Sequence, residues 1–181
     1  MRIKLQEKEN KHKRSVILLL LLLLLAVVSV GIGIWTVRFR ETETVLAPDY
    51  APAVEKNAES TGDGTDSKLD QPDGGGAVSI TYAKDVSVSI SKKSATLLFE
   101  NPAKSNQDMV IQLVIDNTVI LQSGKLMPGN RVTDLRLLEN AEKRLSEGGY
   151  DGKLVVLYYD AESGEKAMVN TEIPVTVTVT D

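Results

Sequence analysis

Residues 77–90 read AVSITYAKDVSVSI, and their period is two. Val78, Ile80, Tyr82, Val86, Val88 and Ile90 share one parity, while Ser79, Thr81, Asp85, Ser87 and Ser89 take the other. Successive side chains of a strand point to opposite faces, so the pattern is that of a half-buried β-strand. Lys84 interrupts the apolar row and marks a bulge or a change of sheet.

The same texture continues toward the C-terminus. Ala95 to Glu100 and Met109 to Asp116 read as the next strands, joined through Asn101-Pro102. Asp116-Asn117 is a turn signal, Thr118 to Gln122 returns, and Pro128-Gly129 suits a type II turn. Val132 to Leu138 is a further strand, after which Leu138, Ala141 and Leu145 follow a helical spacing sufficient for one or two turns. Tyr150 to Tyr159 is apolar on both parities, as a central strand covered on both faces would be. The polar AESGEK (Ala161 to Lys166) makes a hairpin loop, and Met168 to Thr180 closes the domain. Pro174 lacks a ladder donor and marks an edge or a bulge.

Seven to eight short strands with one helical turn predict an all-β, immunoglobulin-like β-sandwich over residues 77–181. Before the most apolar strand, Leu145, Gly148 and Tyr150 form an L-x-x-G-x-Y string. It resembles the tyrosine corner of immunoglobulin-like and fibronectin-type domains, including those of bacterial surface proteins. The resemblance implies that the Tyr150 hydroxyl bonds back to the backbone of the preceding corner. The chain departs from antibody domains in lacking both cysteines and a strand tryptophan, since Trp35 lies elsewhere.

Upstream the composition changes twice. Residues 38–76 carry many acids, with Pro48, Pro52 and Pro72 and a run of glycine at Gly74 to Gly76, and read as an acidic disordered linker. Val16 to Val37, VILLLLLLLLAVVSVGIGIWTV, has no charge. As a helix it would measure about 33 Å, enough to span a hydrocarbon core of about 30 Å. Arg2, Lys4, Lys8, Lys11, Lys13 and Arg14 precede it, against Arg38 and Arg40 after it. This asymmetry predicts a cytoplasmic basic tail (1–15), a single-pass signal-anchor transmembrane helix (16–37) in the cell membrane, and an extracytoplasmic C-terminal domain. The alternative is a signal peptide cleaved near Ser29 and Gly31, which would release a secreted domain.

Composition narrows the chemistry. The chain has 181 residues, a formal charge of −4, one histidine and no cysteine. The exported part is acidic, which argues against nucleic acid. His12 lies in the basic tail, so the domain has no imidazole or thiol for nucleophilic catalysis. No catalytic, cofactor-binding or metal residues are expected. Two acidic clusters (Asp160, Glu162 and Glu165; Asp63 and Asp66) match no calcium loop. Lys84, Asn170 and Glu172 are the residue types that some Gram-positive surface sandwiches join covalently, without those families' motifs.

The expected function is a non-enzymatic binding or scaffolding module of the cell envelope, with an envelope or secretion-machinery protein as partner. The alternative is a carbohydrate or cell-wall binding module. Val175, Thr176, Val177, Thr178, Val179 and Thr180 alternate without charge after Pro174, and read as a possible edge-strand interface.

Overall fold

The computed structural model describes Leu24 and residues 46–62, 67–71 and 75–181. The basic tail and, Leu24 apart, the apolar run 16–37 lie outside the described residues. Among the described residues no helix is long and apolar enough to cross a membrane. The chain divides into two compact units, Met1–Glu43 and Thr44–Asp181. The account below concerns the second.

That unit is all-β. Its strands are β1 (Glu59–Ser60), β2 (Thr81–Tyr82), β3 (Asp85–Ser89), β4 (Ser94–Asn101), β5 (Gln107–Ile115), β6 (Thr118–Gln122), β7 (Asn130–Arg136), β8 (Gly148–Asp160) and β9 (Lys166–Thr180). They form one curled sheet in the order β1-β7-β4-β3-β9-β8-β5-β6, with β2 beside β4. The β3–β9 pair is parallel, Asp85 facing Thr176 and Ser89 facing Thr180; the other strand pairs are antiparallel.

The alternating pattern explains the core. Ala95, Leu97 and Phe99 of β4 and Ile173, Val175, Val177 and Val179 of β9 turn inward. They meet Met109, Ile111, Leu113 and Ile115 of β5 and Leu154, Val156 and Tyr158 of β8 in one cluster. Ala141, which opens the 3-10 turn Ala141–Arg144, and Leu145, which follows it, belong to the same core. At the open side of the curl the Leu138 N–H donates to the Ile120 carbonyl (2.8 Å), tying β6 to the chain leaving β7.

The turns form as their residues dictate. Asp116 and Asn117 both have positive φ (48° and 59°), the primed-turn geometry that matches strand twist. Gly129 has φ 85°, and the Asn130 N–H donates to the Met127 carbonyl (3.1 Å), as a type II turn around Pro128-Gly129 requires. At Lys84 the strand changes partner. Ala83 still donates to Leu98 on the β4 side, whereas the Lys84 carbonyl accepts from Thr176 of β9. Tyr82, expected in the apolar row, is 45% exposed at this break.

Two expectations are corrected. Val175 to Thr180 is no edge: β8 pairs with it on one side and β3 on the other. Pro174 lies just before the β3 ladder begins at Thr176, so its missing donor is needed by no strand. The linker reading fails over residues 46–62, which lie along the domain and supply β1, paired with β7. The compact unit accordingly begins at Thr44, ahead of the expected boundary at Ala77.

Candidate functional site

β5 and β8 are apolar on both faces, so a second surface needs cover. Val110 and Val114 of β5 and Val155, Leu157 and Tyr159 of β8 form a small cluster on the outer face. Over it runs the stretch LAPDYAPAV (residues 46–54), with Ala47 and Ala51 packed against the cluster beside Val119. We call residues 46–55 the strap.

The strap is held chiefly through backbone atoms. The Tyr159 hydroxyl donates to the Pro48 carbonyl (2.9 Å) and the Ala51 N–H to the Gly164 carbonyl (2.7 Å). Lys166 donates through its backbone to Asp49 (2.9 Å) and through Nζ to the Ala47 carbonyl (3.2 Å). The Ala47 N–H donates to Gln122 Oε1 (3.1 Å), which also accepts from buried Gln112 (2.6 Å). Further along, Glu55 N–H and Lys125 O bond at 2.9 Å, as do Lys125 N–H and Ala53 O. Beneath, Asp108 is buried and pairs with Lys125 (3.1 Å).

Gly124 permits this approach. A Cβ there would stand 2.7 Å from the Ala53 carbonyl and 2.8 Å from the Glu55 backbone. Its N–H instead donates to Glu55 Oε2 (2.6 Å). Burial, and then the charge of Asp49, raise the Tyr159 pKa above its ordinary value, which keeps the phenol protonated as a donor.

The residues of the L-x-x-G-x-Y string come together. The Tyr150 hydroxyl donates to the Ser146 carbonyl and accepts from the Ser146 N–H, both at 3.0 Å. Leu145 is buried in the main core, and Gly148 has φ 144°, a conformation open to glycine. This corner stands at the entry into β8, the strand under the strap.

The other candidates do not converge. Lys84, Asn170 and Glu172 are exposed, and Glu172 pairs with Lys153 (2.9 Å). Asp160 caps its own hairpin. The backbone and hydroxyl of Ser163, then the Glu162 N–H, donate to it and hold its carboxyl below the usual range. Asp63 and Asp66 lie outside the described residues. An open cavity of about 540 Å³ is lined by Val114, Asp116, Asp151, Lys153, Glu172 and Pro174 among others, and two of its charged groups, Lys153 and Glu172, pair with each other. No group of three His, Cys, Asp or Glu able to hold a metal occurs among the described residues.

Val175 to Thr180 supply both surfaces of β9. The valines point into the core, while Thr176, Thr178 and Thr180 are exposed beside Asp85, Ser87 and Ser89 of β3. The strap is the part of this candidate site that the sequence reading missed. Its signals were the two Ala-Pro pairs and the second apolar parity of β8, which required a cover.

No family model matches the chain, and no curated protein is similar to it. Among solved structures it is similar to AggA, the major subunit of aggregative adherence fimbriae type I from Escherichia coli. The match has 12% identity, covers 62% of this chain and 100% of that one, and has a TM-score of 0.26. At that score the likeness carries no argument about this protein.

Proposed function

We propose that the chain is a single-pass, membrane-anchored, extracytoplasmic binding or scaffolding module of the cell envelope, non-enzymatic, with an immunoglobulin-like sandwich as its working domain. Strand pairing supports the sandwich. The first long strand splits, β2 lying beside β4 and β3 running parallel to the last strand β9. β4 pairs with β7, so the order β3, β4 and β7 supports an A, B and E set, and β1, which precedes β2 in the chain, takes the edge beside β7 that D takes in that fold. The neighbour order β6, β5, β8 and β9 supports the same reading, since it is the order of a C′, C, F and G set, and Tyr150 lies near the start of β8, where a tyrosine corner would have it.

The observation that carries the functional reading is the charge-free run 16–37, preceded by six basic residues and followed by a β domain without histidine or cysteine. Its partner would be another envelope or secretion-machinery protein. Carbohydrate binding finds less support. Tyr158 and Tyr159 are buried, and the exposed Tyr50 and Tyr82 stand on separate elements, so they make no paired platform.

Because the chain has no cysteine, a Lys92→Cys variant gives a single label site in an exposed turn. Expressed in a bacterial host, it should remain in the alkali-washed membrane and react with an impermeant maleimide on cells whose outer barrier is opened. A soluble product beginning near residue 32 would establish the secreted alternative. Labelling only after the inner membrane is broken would invert the topology.

A further inference from the structure

The strap carries a short repeat. Ala47-Pro48 and Ala51-Pro52 stand four residues apart, and both alanines pack on the outer cluster of β5 and β8. Between them the Pro48 carbonyl takes the Tyr159 hydroxyl, and the Ala51 N–H and the Asp49 carbonyl bond to the β8–β9 hairpin. An apolar floor, an aromatic hydroxyl reading a proline carbonyl, and backbone partners at fixed spacing are the elements by which protein surfaces bind extended proline-containing segments. Proline pre-sets φ, so such a segment loses little conformational entropy on docking.

The main core closes without this segment. Strands on both sides of the curl meet in one cluster to which residues 46–55 contribute nothing. The strap therefore covers a site that the rest of the domain builds, and its attachment forms a locally separable unit.

We infer that the outer face of β5 and β8 is a binding groove for extended Ala-Pro segments, that the strap is its resident intramolecular ligand, and that the strap of a second copy can take its place. The required ligand places two alanines four residues apart, with a free carbonyl on the proline after the first. Charge is not the discriminating feature. Around the groove Lys166 binds a strap carbonyl, Asp108 is neutralised by Lys125, and Glu55 of the strap caps Gly124. This inference concerns the domain alone and holds whether or not residues 16–37 cross a membrane.

The test uses the full chain in mild detergent, with a specific protease site replacing residues 63–66. After cleavage an excess of fluorescein-labelled peptide of residues 44–62, standing for the strap of a second copy, is added and followed by polarisation and size exclusion. The expected result is that the cut halves stay together, the labelled peptide enters, and unlabelled peptide chases it. A peptide carrying Ala47→Asp and Ala51→Asp should bind at least tenfold more weakly. Tyr159→Phe in the domain should weaken exchange about fivefold while far-ultraviolet dichroism stays unchanged. Two results overturn the inference: a labelled peptide that never enters the still-folded cut protein, or strap loss that abolishes the β signal, since then no separate groove exists.

Discussion

The two outer surfaces of the curled sheet are built from different residues and meet different fates. Over β3 and β9 the outward positions are Asp85, Ser87, Ser89, Thr176, Thr178 and Thr180, small polar groups that water satisfies without further cover. Over β5 and β8 they are Val110, Val114, Val155, Leu157 and Tyr159, and the chain returns upon itself to bury them. One sheet thus has a finished face and an unfinished one. The difference lies in the second parity of a strand: hydroxyls leave it bare, whereas valine, leucine and tyrosine recruit the nearest chain able to lie extended. Residues 46–55 are that chain because Ala47 and Ala51 pack on the apolar cluster and the segment's backbone still finds partners at Gly164 and Lys125.

The largest expected effect comes from removing the cover. A fragment of residues 77–181 should retain β structure but melt well below one of residues 44–181, and it should bind a hydrophobic dye that the longer fragment does not. If about 120 Å² of apolar surface is uncovered, the loss is about 3 kcal/mol at roughly 25 cal/mol per Å². For a domain of this size that corresponds to a fall of roughly 10 °C. Equal melting temperatures would mean that the two faces do not differ in their need for the strap.

Next stands the corner at the entry into β8. Tyr150→Phe leaves both the N–H and the carbonyl of Ser146 without the hydroxyl. The expected cost is about 1 kcal/mol, read as a shifted denaturation midpoint with an unchanged slope. A midpoint equal to that of the parent would show that the corner contributes nothing to the strand beneath the strap.

Tyr159→Phe acts on the covered face alone. At neutral pH it should cost about 1 kcal/mol through the lost bond to Pro48. The parent also has an alkaline weakness with a definite sign. Burial raises the folded pKa of Tyr159, so the unfolded chain releases the phenolic proton first. Stability from this group is therefore full below about pH 10 and declines as pH rises through and beyond that value. Thermal melts from pH 9 to pH 11 should show the parent losing more than the phenylalanine variant. A parallel decline would remove Tyr159 as the source.

The smallest effect belongs to the bare face. Thr178→Lys changes an exposed position on a strand paired on both sides, and should alter stability by less than about 0.5 kcal/mol. It also should leave any self-association intact, because Val175 to Thr180 offers no free backbone edge. Strongly weakened association would show that the hydroxyl face itself is a contact surface and that the two faces are more alike than their coverage indicates.

Much of this molecule follows from local chemistry. Period-two alternation places the strands, paired left-handed residues at Asp116 and Asn117 and the Pro128-Gly129 pair place the turns, and LSEGGY places the corner, because each depends on side chains a few residues apart. The double-sided apolar run Leu154 to Tyr159 even requires that something cover both faces of β8. What the sequence leaves open is which segment does so, and which strand takes each edge. Both are decided by pairings between residues distant along the chain: Asp85 with Thr176, Glu59 with Arg131, Pro48 with Tyr159. Residues 46–55 lack the apolar content to fold alone, and their composition reads as linker because composition counts only what a segment can bury by itself. The tertiary structure lends them a preformed surface, and the contact area and backbone bonds gained there offset an ordering entropy that the segment could not meet alone.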